Sequence, residues 1–289
     1  MTKSKKDATP VQVLLTPQYI LSTGRILTKI SPFLASRFAA QLFLTPFKYP
    51  LPEREKDMDE KAEQRSILVK AINRKIIVYK YGEGTKKVLL VHGWSGRGTQ
   101  MSVLAKQLVK KGYTVISFDA PAHGKAPGRM SMMPYFIESI HELAKDYGPF
   151  DSAIGHSLGG MSLLRALKEG FSLKKLVIIG TANSVTHITR EFARNMKLND
   201  SVAEKMKSYF DKKFGEDMDA YSGALSAESV KIPTLVVHDK DDVDVDVSSA
   251  FEISEKLMNS ELFITEGLGH RKILGNPEVI NKITTFVTA

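Results

Sequence analysis

A serine between glycines, in the segment Gly155-His156-Ser157-Leu158-Gly159, is the strongest chemical signal in this 289-residue sequence. The segment follows a short apolar run and precedes a stretch with helical spacing, a context typical of a nucleophile elbow. Glycines two positions to either side allow a sharp strand-to-helix turn, which strains the serine backbone and exposes its hydroxyl at the carboxyl edge of a sheet. The spacing predicts Ser157 as a nucleophile, against the alternative of a glycine-rich turn with an incidental serine.

A serine hydroxyl needs a base to take its proton and an acid to orient that base. Both residue types follow the serine, acid before base, as this architecture requires. The turn at 239–244 has the sequence DKDDVD directly after an apolar run, and His270 lies in a later glycine-bearing loop. The turn lacks the spacing of a calcium loop, since the sixth and twelfth positions counted from Asp242 are Val247 and Ile253. A solvated acidic turn is the alternative for most of these carboxylates.

A second glycine turn ends another apolar run, at Val91-His92-Gly93-Trp94. Backbone N–H groups near the nucleophile can stabilise the oxyanion that forms when an acyl carbonyl is attacked. The N–H groups of Trp94 and Leu158 are predicted to form this oxyanion hole, because one ends a buried strand and the other follows the serine. We expect His92 to be a structural hydrogen-bonding residue rather than a catalyst.

Short β-branched runs alternate with helix-length stretches from about residue 66 onward. This alternation predicts an α/β fold whose mostly parallel, eight-stranded sheet is covered by helices on both faces. The first two runs are separated by only three residues and indicate an antiparallel hairpin. The predicted strands are Ser66–Ala71, Lys75–Tyr81, Lys87–His92, Thr114–Asp119, Ser152–His156, Lys175–Gly180, Thr234–His238 and Glu261–Thr265.

Two segments interrupt the alternation. Six prolines divide residues 1–65 into short helices, with a charged helix predicted at Glu53–Gln64. Some fifty residues between the runs ending at Gly180 and starting at Thr234 are too many for an ordinary connection. Their spacing predicts a small helical insertion. The predicted organisation is an N-terminal helical extension at 1–65, a core at 66–181 and 231–289, and the insertion at 182–230.

The composition is that of an ordinary soluble globular chain, 43% hydrophobic and 25% charged, with no cysteine. A disulfide framework, a thiolate metal site and a cysteine nucleophile are therefore excluded. We expect a reducing cytoplasm as the location, since no export signal or membrane-spanning run is apparent.

The net charge of +9 is concentrated at the N-terminus, where residues 1–56 hold nine Lys or Arg against three acidic residues. The nearly neutral remainder gives no reason to expect a nucleic-acid partner. For the basic segment we favour packing on the core. Contact with a membrane surface is the alternative, through an apolar face beside Arg25, Lys29 and Arg37.

Taken together, these motifs resemble the α/β-hydrolase superfamily from about residue 66 to the C-terminus. The resemblance rests on the turn at 92–94, the D-A-P-A-H-G loop at 119–124, the elbow at 155–159, the segment at 238–242 and Gly269-His270. The loop departs from the common D-x-P-G-x-G by one alanine and an added histidine, and it resembles the form found in a bacterial subgroup of the superfamily.

The resemblance implies which carboxylate is the acid. In the superfamily the catalytic acid lies four residues beyond a strand-ending histidine or its equivalent, in the pattern H-G-x-x-D-x-x-V. On this chain the strand-ending histidine is His238, and the position of the acid is therefore Asp242. Asp239 stands in place of the usual glycine, which leaves Asp241 as a lesser candidate. The implied triad is Ser157, Asp242 and His270, without cofactor or metal, and by analogy the insertion is a lid over the site.

The predicted function is a serine hydrolase that cleaves a carboxylic ester of a small-molecule acyl substrate. A thioesterase, acyltransferase, amidase or peptidase would use the same residues, and a non-catalytic ligand-binding protein on this fold is the alternative from another class. A metal-dependent hydrolase is not expected, because no His and carboxylate cluster has ligand spacing.

Overall fold

A computed structural model describes residues 16–289. Eight strands form one open sheet. In chain order they are β1 (Glu63–Val69), β2 (Arg74–Tyr81), β3 (Lys86–Val91), β4 (Tyr113–Asp119), β5 (Ser152–His156), β6 (Lys175–Ile179), β7 (Thr234–Asp239) and β8 (Ser260–Thr265). Across the sheet their order is β1-β2-β4-β3-β5-β6-β7-β8.

The sheet is mostly parallel. Strand β2 pairs antiparallel with both β1 and β4, and every other neighbouring pair is parallel. The central strands β4 and β5 are buried along their whole length, as parallel strands are when helices cover both faces of the sheet. The predicted α/β fold class is confirmed.

The first strand differs from its predicted bounds. It begins at Glu63, and the charged helix before it ends at Lys61 rather than at Gln64. The reason is pairing, since Glu63 lies opposite Lys80 and Gln64 opposite Tyr79 in the hairpin with β2. An edge strand leaves one row of polar side chains in water, so cross-strand pairing outweighs the helical character of this charged sequence. The proposed boundary at 65 therefore falls inside β1.

Twelve α-helices surround the sheet within residues 16–289. They are α1 (Gln18–Ile30), α2 (Pro32–Phe43), α3 (Glu53–Lys61), α4 (Ser102–Lys110), α5 (Met133–Tyr147), α6 (Leu158–Lys168), α7 (Val185–Asn195), α8 (Asp200–Phe214), α9 (Gly223–Ala227), α10 (Ser248–Lys256), α11 (Gly269–Lys272) and α12 (Pro277–Thr288). Among these described residues, no helix has the length and apolar character needed to cross a membrane.

Two apolar clusters lie on opposite faces of the sheet. One joins α3, α4 and α12 to the sheet through residues such as Leu104 and Ile283. The other joins α5, α6 and α10 to the opposite face and continues into α1, α2, α7 and α8. Neighbouring residues of β5 belong to different clusters, Ala153 to one and Ile154 to the other. This is expected because successive side chains of a strand point to opposite faces of the sheet.

The N-terminal helices and the insertion pack on each other. The ring of Phe43 at the end of α2 lies 5.1 Å from that of Phe192 in α7, edge to face, and 5.6 Å from that of Phe210 in α8. Residues 1–15 of the predicted extension lie outside the described residues.

Candidate active site

Ser157 occupies the tight turn between β5 and α6 with φ 53° and ψ −118°. A positive φ is strained for a residue with a Cβ. The N–H of Ser157 donates to the carbonyl of Ile179 on the neighbouring strand at 2.8 Å. Glycine is required on both sides, because a Cβ at Gly155 would lie 2.6 Å from the carbonyl carbon of Gly159, and one at Gly159 would lie 2.2 Å from the carbonyl oxygen of Val91.

Asp242 and His270, from the loops after β7 and β8, form a hydrogen-bonded pair. The Nδ1–H of His270 donates to Oδ2 of Asp242 at 2.7 Å. The other oxygen, Oδ1, accepts the N–H groups of Asp244 and Val245, each at 2.9 Å. The buried carboxylate is thereby fixed, and it holds the imidazole with Nε2 free to act on a proton. Asp241, the lesser candidate, accepts the N–H of Gly267 at 2.9 Å instead.

The carboxylate of Asp239 organises the loop that carries His270. It is fully buried and accepts four hydrogen bonds, from the Thr265 hydroxyl at 2.7 Å and from the N–H groups of Leu268, Gly269 and Asp241 at 3.1, 2.8 and 3.0 Å. Burial raises its pKa, but the hydrogen bonds outweigh burial and leave the pKa of Asp239 below its usual range. No functional reason for an aspartate was evident at this position, where the resemblance led us to expect glycine.

The histidine before the nucleophile connects these loops. The Nε2–H of His156 donates to the carbonyl of His270 at 2.9 Å, and the two rings lie 4.6 Å apart. His270 is thus held beside the elbow, and Ser157 and His270 line the same cavity. The structure therefore brings all three predicted triad residues into one region of the molecule.

The loop after β3 lies against the elbow, where the oxyanion hole was predicted. A Cβ at Gly93 would be 3.0 Å from the Cβ of Ser157. The side chain of Gln100 fixes this loop by accepting the N–H of Gly93 at 3.0 Å. Within residues 16–289, neither the N–H of Trp94 nor that of Leu158 donates to a protein group. Both donors are available to an acyl oxygen.

His92 behind this loop is a structural residue, as expected. Its Nδ1–H donates to the Gly93 carbonyl at 2.7 Å, and its Nε2 accepts the N–H of Ala120 at 3.1 Å. Burial lowers the pKa of His92 to about 4. His123 lies 4.9 Å from it, ring to ring, and burial together with that neighbour holds the pKa of His123 well below its usual range. Burial likewise lowers the pKa of His156, with His270 as the next cause.

A cavity of about 240 Å³ opens from Ser157 and is bounded mainly by apolar side chains. Three parts of the chain supply them. The N-terminal segment contributes Phe43, Leu44, Phe47 and Tyr49; the core contributes Trp94, Met132, Met133, Leu158 and Met161; and the insertion contributes Val185, Ile188, Phe192, Phe210, Phe214, Met218 and Tyr221. Polar and charged side chains also line it, namely His187, Glu191, Asn195, Asp244 and Arg271.

The cavity wall formed by residues 43–49 was not foreseen from the sequence. Phe43 stacks on Trp94 at 6.4 Å, and the N–H of Phe47 donates to the Ser95 hydroxyl at 2.9 Å. Of the phenylalanine and methionine side chains of the insertion, Phe192 and Phe210 line the cavity, whereas Met196 and Met206 are buried elsewhere. The only sequence signal for the N-terminal wall is a run of apolar residues just before the turn-forming prolines.

Asp242, Asp244 and His270 also place potential metal-ligand atoms within 4.8 Å of one another, the one such group among the described residues. The Asp242 carboxylate, however, already accepts hydrogen bonds on both oxygens. Arg271 lies 3.8 Å from Asp244, and a neighbouring cation disfavours binding of another. The arrangement is better suited to orienting His270 than to holding a metal ion.

A family model described as the alpha/beta hydrolase fold matches residues 86–201. An esterase from Pyrococcus furiosus is 21% identical with a TM-score of 0.65, and the alignment covers 85% of this chain and 97% of that chain. An esterase from Exiguobacterium antarcticum is 17% identical with a TM-score of 0.61, and the alignment covers 78% of this chain and 100% of that chain. A bromoperoxidase from Bacillus anthracis is 19% identical with a TM-score of 0.59, and the alignment covers 78% of this chain and 99% of that chain. No curated protein matches the sequence significantly. At these identities the structural likeness shows the fold.

Proposed function

Since this chain has the α/β-hydrolase fold, we propose that it is a serine hydrolase that cleaves carboxylic esters through an acyl-enzyme. The observation that carries the proposal is the convergence of a strained serine at an elbow with a hydrogen-bonded Asp242–His270 pair on one apolar cavity. Fold alone does not decide function, so the proposal rests on this site.

The proposed reaction assigns one task to each group. His270 takes the proton of the Ser157 hydroxyl at Nε2 while the serine oxygen attacks the acyl carbon. Asp242 holds Nδ1–H and stabilises the imidazolium that forms. The N–H groups of Trp94 and Leu158 receive the oxyanion. The ester C–O bond then breaks, His270 returns its proton to the leaving alcohol, and water activated by the same imidazole releases the acid.

The apolar cavity wall supports a hydrocarbon acyl group as the bound part of the substrate. Phenylalanine and methionine side chains from three segments surround the space above Ser157, and methionine adapts to irregular shapes. We propose that the insertion, together with the N-terminal segment at 43–49, forms the lid of this cavity. Both segments would have to move for a bulky ester to enter.

A fluorophosphonate probe tests the nucleophile directly. The native chain should be labelled on Ser157, and Ser157→Ala should not be labelled while keeping its circular dichroism and melting temperature. Labelling of another residue, or equal labelling of the two proteins, would contradict the proposal. Ser162, buried in the helix that follows Ser157, provides the matched control, since Ser162→Ala should be labelled normally.

A series of model substrates distinguishes the reactions that share this triad. Esters, thioesters and anilides of the same acyl chain should rank with esters first in kcat/KM. A thioester preference would indicate a thioesterase, and transfer of the acyl group to an added alcohol rather than to water would indicate an acyltransferase. Probe labelling without turnover of any of them would favour the non-catalytic alternative.

A further inference from the structure

An apolar stripe on the outer side of α1 is left exposed. Tyr19, Ile26 and Ile30 are 70%, 58% and 70% exposed. At about 100° per residue the three side chains fall within roughly 40° of one another around the helix. The opposite face of α1 carries Leu21 and Gly24, which are buried against the rest of the protein. The helix is therefore already anchored, and the stripe is not a core face.

Two further exposed apolar side chains follow at the start of α2. Phe33 and Leu34, in the first turn of that helix, are 56% and 48% exposed. Together with the three residues of α1 they form a contiguous stretch of sequence rich in exposed apolar side chains. We call these five residues the outer patch. Exposed apolar side chains concentrated in one segment indicate a site of interaction.

The charge around the outer patch is of one sign. Residues 16–52 contain Arg25, Lys29, Arg37 and Lys48 and no acidic residue. Arg25 and Lys29 are exposed and directly precede Ile26 and Ile30 in sequence, and within residues 16–289 neither forms an ion pair. A helix with exposed aromatic and aliphatic side chains beside unpaired basic residues has the chemistry that binds the surface of an anionic bilayer.

We propose that the outer patch docks the protein on an anionic lipid surface, with its apolar side chains among the acyl chains and Arg25 and Lys29 at the lipid phosphates. A protein partner is less favoured, since its interface would have to supply both an apolar surface and acidic groups. The proposal concerns binding alone and does not rest on the proposed hydrolase activity.

The geometry of α2 gives the docking surface a relation to the cavity. Phe33 lies at the exposed start of the helix and Phe43, which lines the cavity, at its end. Ten residues of α-helix span about 15 Å. The outer patch and one wall of the cavity therefore lie at the two ends of a single helix.

Vesicle flotation of the full chain tests the proposal. Native protein should float with phosphatidylcholine vesicles that contain phosphatidylglycerol, bind poorly to phosphatidylcholine alone, and be released by salt. The double variant Arg25→Gln/Lys29→Gln should bind about 30-fold more weakly at low salt. Arg74→Gln/Lys75→Gln, an exposed basic pair in the β1–β2 hairpin, should bind as the native chain does.

A second pair of variants tests the apolar component. Ile26→Ser/Ile30→Ser should lose vesicle binding, while Leu225→Ser/Met258→Ser, which removes two exposed apolar side chains elsewhere, should keep it. All four variants should melt as the native protein does. Failure of the native chain to bind, equal binding with and without phosphatidylglycerol, or equal loss in patch and control variants would overturn the proposal. Self-association of the native chain that Ile26→Ser/Ile30→Ser abolishes would overturn it too, and would make the patch a contact between copies.

Discussion

Asp239 is the last residue of β7 and Asp242 lies three residues beyond it, and their carboxylates do different things. Asp242 accepts the Nδ1–H of His270, whereas Asp239 accepts two N–H groups of the loop that leads to that histidine. One carboxylate touches the proposed base, and the other holds the loop that carries it. In a turn with four aspartates, only the hydrogen-bond partners separate these two roles.

The acid can be tested one carboxylate at a time. We expect Asp242→Asn to lower kcat on a model ester by about four orders of magnitude, because an amide favours the wrong tautomer of the imidazole. Asp241→Asn is the matched control, since its carboxylate accepts only the Gly267 N–H in an exposed turn, and it should change kcat less than about tenfold. A larger loss from Asp241→Asn would place the acid one residue earlier.

Asp239→Asn should act on stability first. The amide would turn one NH2 group toward the N–H and hydroxyl donors that now face the carboxylate, so we expect a loss of about 2 kcal/mol in the free energy of unfolding. Fluorophosphonate labelling should become slower but not disappear, since the Asp242–His270 pair is retained. Urea unfolding and labelling rates measure the two effects. Unchanged stability would show that the loop is held by other contacts.

At the scale of elements, the cavity wall comes from helices that are far apart in sequence. The bounds of every strand except β1 could be predicted well, because each β-branched run contains its own signal and pairs with a neighbour of the same kind. The contact of α2 with α7 and α8 could not, since nothing in the spacing of Phe43 indicates which distant surface it meets. Likewise the elbow was evident from Gly155 to Gly159. Three of the four donors to Asp239, however, come from the segment at 265–269, which only the fold brings near it.

Removing the whole insertion is not a clean test of a lid in this molecule. Leu198, Met206 and Phe210 of the insertion belong to the same apolar cluster as Leu21 and Ala39 of the N-terminal helices. A Gly/Ser linker in its place would expose that cluster to water. Single substitutions at the cavity surface are the appropriate experiment.

Phe43→Ala should change the acyl preference of the protein. Loss of the ring enlarges the cavity beside Trp94, so we expect kcat/KM to rise by about tenfold for longer or branched acyl esters relative to short ones. Phe33→Ala removes the same ring from the exposed start of the same helix, and its profile with dissolved esters should stay native. An unchanged profile for Phe43→Ala would exclude this wall from the acyl pocket.

At the scale of the whole molecule, four buried histidines make stability depend on pH. The pKa of His92 is lowered to about 4, and those of His123, His156 and His238 are lowered as well. Below about pH 6.5 these histidines bind protons in the unfolded chain but stay neutral in the folded chain. Stability is therefore complete above that pH and falls as the pH drops toward 4, with His92 alone contributing on the order of 3 kcal/mol.

Urea unfolding across this pH range measures the effect. His123→Phe should flatten the fall in unfolding free energy between pH 6.5 and 4, because the ring lies among Trp94 and Phe136 and a phenyl group takes up no proton. His187→Gln, at an exposed position, should leave the slope native. If the unfolding free energy falls equally steeply with pH in the native chain, His123→Phe and His187→Gln, then His123 does not contribute to the loss of stability in acid.

Phe43 is made early by the ribosome, and its ring partners Phe192 and Phe210 follow much later. At roughly 5–20 residues per second, about 10 to 30 seconds pass before α8 has been synthesised. Throughout that interval the Phe43 ring lacks its partners in α7 and α8, although Trp94, on which it also stacks, is synthesised earlier. The wall that joins Phe43 to Phe192 and Phe210 can therefore form only after α8 has been made.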